Sequence, residues 1–97
     1  RWFHARPGRT EALLEAALAH HGADAWVRTR DEVLAEGWFG PEVRPELRCR
    51  LGDVCLVAKG TAAFDDPADS GPFVLLGRHG SLTRAEMLVP LLATVAL

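Results

Sequence analysis

Residues 2–28 read WFHARPGRTEALLEAALAHHGADAWVR, and this stretch decides the architecture. Residues 2–5 have the composition of a short strand, which Arg6-Pro7-Gly8 breaks. Leu13, Leu14, Ala17, Leu18 and His21 then recur at helical spacing. Thr10, or a residue just before it, is placed to cap that helix, and Gly22 to close it in the left-handed conformation. Residues 25–28, Ala-Trp-Val-Arg, make a second strand. A connection that holds a whole helix suits parallel strands joined by a right-handed crossover. The prediction is a strand-helix-strand unit.

Working outward, Thr29-Arg30-Asp31-Glu32 has the spacing of a capping box and opens a helix of barely two turns, ended by Gly37, with Val33 and Leu34 facing the core. Gly40-Pro41, Pro45 and Gly52 interrupt every period between residues 38 and 53, which reads as a meandering loop. Residues 54–58, the turn Lys59-Gly60 and residues 61–64 form a hairpin pattern. Residues 65–72 are a solvated loop, and residues 73–76 a last strand that runs into Gly77-Arg78-His79-Gly80. A second capping box, Thr83-Arg84-Ala85-Glu86, opens a short helix that stops at or before Pro90. The expected class is α/β: a small sheet with a strand-helix-strand unit, a β-hairpin and a terminal strand-turn-helix.

With 97 residues the chain has room for one core and none for separate cofactor and substrate domains, so residues 1–97 are read as a single segment. Its 11 basic and 13 acidic side chains leave a net charge of -2, which lacks the footprint that nucleic acid binding requires. The longest apolar run, residues 88–97, is interrupted by Pro90 and falls short of the roughly 18 residues that span a bilayer. Residues 2–6 enter like a strand in mid-course, and the first residue is Arg1, so a segment cut from a longer chain is expected. A signal peptide upstream would lie outside it. The spacing of Cys49 and Cys55 matches neither a C-x-x-C redox pair nor a zinc ribbon. Both are expected to pack as small half-buried groups, which leans to a reducing, cytoplasmic compartment.

His79 is the foremost candidate for chemistry, since it stands where a strand ends and a helix begins, with glycines around the Arg78-His79 pair. One imidazole nitrogen there could meet a metal while an acceptor orients the other. No second potential ligand lies within four residues, and an isolated His is more often a turn residue. Arg78 could bind an anion with its fork of donors, or simply end a strand at the surface. Thr83 is accounted for by capping. His20 and His21 point about 100° apart on a helix and make poor joint ligands. His4 is expected half-exposed in its strand. Asp65, Asp66 and Asp69 lack the Gly and distal Glu of a calcium loop. The scattered Trp2, Trp26, Trp38, Phe39 and Phe64 read as core anchors.

Residues 77–92, GRHGSLTRAEMLVPLL, resemble the end of the catalytic domain in the alkaline phosphatase superfamily, above all its nucleotide pyrophosphatase/phosphodiesterase branch. PglZ-type relatives carry a similar string. Residues 35–41, AEGWFGP, and 50–54, RLGDV, are similar to bacterial members too. The resemblance implies that His79 is one ligand of a zinc pair that handles a phosphate ester or nucleotide-like substrate. Arg84 stands where the family usually has Pro. The family's Thr or Ser nucleophile, its Asp ligands and its other His ligands have no counterpart here. The resemblance therefore implies the C-terminal part of such a hydrolase, completed by the upstream part of the same chain. The alternatives are a non-enzymatic small α/β binding or interaction module, in which the His79 turn is structural, and a PglZ-like relative with a degenerate site.

Overall fold

The computed structural model of the chain describes residues 1–68, 71 and 76–96. Its elements run β1 (Trp2–Phe3), α1 (Thr10–His21), β2 (Ala25–Thr29), α2 (Arg30–Ala35), α3 (Pro45–Arg48), β3 (Val54–Ala58) and α4 (Arg84–Met87). The strands form a three-stranded sheet in the order β1-β3-β2. Both outer strands are antiparallel to β3, with Trp2 opposite Cys55 and Val27 opposite Leu56. β1 and β2 thus share a direction, as the strand-helix-strand reading expects, but β3 lies between them.

The central place of β3 follows from its side chains. Val54, Cys55, Leu56 and Val57 are all buried, and a strand buried on both faces belongs inside a sheet, where both of its edges are paired. Alternation sends Val54 and Leu56 to one face, where they meet Ala17, Ala25 and Val27 with Leu13, Leu14 and Phe64 around them. Cys55 and Val57 face the other way, onto Val33, with Trp2, Trp26, Trp38 and Leu82 packed around. One layer of the core lies under α1 and the other under α2.

This arrangement corrects the expected hairpin. The turn forms, with Gly60 at φ 55° and the Ala62 amide on the Lys59 carbonyl at 3.0 Å, but residues 61–64 make no returning strand. β2 pairs with one edge of β3 along residues 54–58, and β1 with Arg1 takes the other at residues 54–56, where a returning strand would have to pair. The strand expected at residues 73–76 falls, for residues 73–75, outside the described residues, and Leu76 is an exposed bend.

The helix ends divide in the same way. Around α2 the capping box is complete: Thr29 Oγ1 accepts from the Glu32 amide at 3.2 Å, and Glu32 Oε2 from the Thr29 amide at 2.7 Å. Gly37, at φ 72°, stops the helix, with its own amide on the Leu34 carbonyl and the Trp38 amide on the Val33 carbonyl. That left-handed step turns Trp38 back onto the Val33 cluster. At α1, in contrast, Arg9 occupies the cap position without a side-chain hydrogen bond, Thr10 is already helical, and Gly22 is right-handed at φ -59°. Leu18, expected on the periodic apolar face, is 49% exposed. The expected meander at residues 38–53 contains α3, started by Pro45 at its first turn. Within and near it Phe39 and Cys49 are exposed, as is His4, so these three lie further out than expected.

Candidate functional site

The His79 turn hangs from the end of β3. Leu56 exchanges backbone hydrogen bonds with Arg1, which uses up that edge of β3 as far as β1 extends. Two residues on, the carbonyl of Ala58 accepts the Ser81 hydroxyl. Leu82 is half-buried beside Val57 and the tryptophans. A polar tether and an apolar anchor therefore fix residues 81–82, and residues 77–80 stand exposed in front of them. Gly80 adopts φ 91°, a conformation that a side chain at this position would oppose.

Within the turn, Arg78 donates from Nη2 to the Asp65 carboxylate and from Nη1 to the Gly77 carbonyl. The loop acids are thus committed to arginines, since Asp66 pairs with Arg1 at 3.6 Å and also accepts the Ala68 amide. Asp69 lies outside the described residues. Behind the turn, the Glu86 carboxylate accepts the Thr83 hydroxyl at 2.6 Å and the Ser81 amide at 3.2 Å. Thr83 stands at the cap position of α4, but its hydroxyl donates to Glu86 and the Glu86 carboxylate takes the Ser81 amide instead of the Thr83 amide, so the expected second capping box does not form. The Thr83 hydrogen bond, then that of the Ser81 amide, holds the Glu86 carboxyl below its ordinary value, with a smaller contribution from the charge of His79. α4 ends at Met87, before Pro90, as its sequence predicts.

The remaining histidines do not join this turn in any metal-ligand cluster. His21 meets Phe64 edge-on at 5.3 Å, and the His20 and His21 rings stand 6.4 Å apart and tilted. Among the described residues no group of three or more His, Cys, Asp or Glu side chains is gathered to hold a metal ion. The Ser81 tether was missed in the sequence reading, because it joins residues 23 apart and leaves no local pattern.

The class of protein is a small α/β unit, a three-stranded antiparallel sheet covered by helices and by residues 81–82. No helix among the described residues is long and apolar enough to cross a membrane. No family model, curated protein or solved structure gives a significant match to the chain.

Proposed function

We propose that the chain is the C-terminal segment of a metal-dependent phosphodiesterase or phosphatase of the alkaline phosphatase superfamily, and that it delivers His79 as one zinc ligand. The observation that carries this reading is the exposed His79 turn, tethered behind by Ser81 and Leu82 at the end of the central strand. Such a tether holds an imidazole in place without covering it. The resemblance of residues 77–92 supplies the chemistry: a zinc pair, when bound, stabilises the attacking and leaving oxygens of phosphoryl transfer. His79 would bind through a neutral ring nitrogen. Arg78 is already engaged by Asp65, so its contribution at a substrate phosphate is secondary.

A second observation supports a larger assembly. Leu88, Val89, Leu91, Leu92 and Val95 are 60–94% exposed and belong to no helix or strand. A contiguous apolar stretch of that kind marks a surface to be covered, and the reading assigns the cover to the upstream part of the same enzyme. The radius of gyration, 16.6 Å, exceeds the about 12.5 Å of a compact chain of this length, in keeping with an apolar stretch that reaches outward.

The test is His79→Ala in the intact enzyme. Bound zinc and hydrolysis of a nitrophenyl phosphodiester should fall together, and full metal occupancy with an unchanged rate would defeat the assignment. The 97 residues alone should hydrolyse nothing even with zinc added. Turnover by them would contradict the need for ligands from elsewhere.

A further inference from the structure

We propose that a depression beside the start of α1 binds a small phosphate monoester with an apolar body. The depression is open to solvent, measures about 420 Å³ and is lined by His4, Ala5, Arg6, Arg9, Ala12 and Leu13. Its charge is segregated from that of the molecule. Residues 1–9 contain Arg1, His4, Arg6 and Arg9 and no carboxylate, in a chain whose net charge is -2.

Four arginines are neutralised by an acidic partner: Arg28 by Glu36, Arg30 by Asp53, Arg48 by Asp31 and Arg78 by Asp65. Arg1 lies beside Asp66. Arg6 and Arg9 have no such partner among the described residues, yet both line the same hollow. The Pro7-Gly8 turn, with Gly8 at φ 71° and the Arg9 amide on the Arg6 carbonyl at 2.9 Å, brings them to it. The Asp53 carboxylate takes the Ala5 amide on Oδ2 at 2.8 Å and is paired with Arg30 through Oδ1. Glu11 lies in the first turn of α1 but does not line the hollow.

A hollow lined by two arginines and a histidine suits a doubly charged, three-oxygen head better than a carboxylate. Ala5, Ala12 and Leu13 offer an apolar floor to the rest of the ligand. The site is independent of the proposed zinc chemistry. β1 and the residues after it lie at the Val54 end of β3, whereas Ser81 and the His79 turn lie at the Ala58 end. The same head group could come from a soluble ester or from phosphatidic acid in a lipid surface, and the soluble ester suits a hollow of this size.

The experiment follows backbone amide NMR signals of the full chain during titration with phenyl phosphate, inorganic phosphate and benzoate. Phenyl phosphate should move the signals of residues 4–13 saturably and bind more tightly than the other two. Arg6→Gln and Arg9→Gln should each weaken it by roughly tenfold, the loss expected for one charge-assisted contact. Arg44→Gln and Arg50→Gln, which remove equally unpaired charges elsewhere, should leave it unchanged, and unaltered spectra away from residues 4–13 would confirm that the variants fold. Equal affinity in all four variants, no saturation, or binding only to phosphatidic acid vesicles would overturn the proposal.

Discussion

Gly52→Ala tests the packing of β1 on β3, on which the position of the central strand depends. Gly52 is buried, and a Cβ built on it would sit 2.6 Å from the Phe3 carbonyl oxygen and 3.0 Å from Trp2 Cβ, where ordinary contact begins near 3.4 Å. The obstacle is backbone, so β1 must retreat by about 0.8 Å instead of a side chain swinging aside. β1 is two residues long, and its register rests on the Asp53 amide to the Phe3 carbonyl and the Leu56 amide to the Arg1 carbonyl, both 2.8 Å. Overpacking of this kind costs about 1–3 kcal/mol. In a domain of this size each kcal/mol lowers Tm by roughly 4–8 °C. Urea denaturation should give a lower midpoint at unchanged slope. Hydrogen exchange should quicken at the Asp53 and Leu56 amides before it does across the β2 ladder. Gly77→Ala, where a Cβ meets nothing within 4 Å, serves as the control. An unchanged midpoint and unchanged exchange in Gly52→Ala would refute the close approach of β1 to the 52–53 turn.

Thr29→Ala removes one half of the box that starts α2 and should destabilise the fold by roughly 0.5–2 kcal/mol, read by the same denaturation. Glu86 should titrate below the ordinary glutamate range when followed by carboxyl NMR, because the Thr83 hydroxyl and the Ser81 amide bind its charged form. Since its folded value is lowered, its support of the α4 start is full above the unfolded value and lost as pH falls through the folded one. Glu86→Gln should abolish that dependence. Glu36 should behave alike, held down first by its hydrogen bond from Arg28. Burial pushes the Cys55 thiol up, against a smaller opposing effect of the terminal ammonium group, whereas Cys49 is exposed. A thiol reagent should therefore label Cys49 in the native protein and Cys55 only on unfolding; equal rates at both would count against the buried β3.

The capping box of Thr29 and Glu32 and the stop at Gly37 were legible in the sequence because each is settled by hydrogen bonds between residues three to five apart. The strand-helix-strand unit was legible for a similar reason, since helical period and turn residues act within one segment. The apolar run at residues 54–58 read as a strand in the same way. What residues 54–57 pair with was not announced. Two strand edges were open to the competing segments 1–3, 25–29 and 61–64, and only the assembled core decides that the first two win. The same holds for the candidate site. The glycines around Arg78 and His79 mark a turn, but its tether through Ser81 to Ala58 joins residues 23 apart, and the Arg1 amine reaches the Leu56 carbonyl across 55. Such contacts depend on which edges and faces remain free after the nearer elements have packed, and that outcome is a property of the tertiary structure alone.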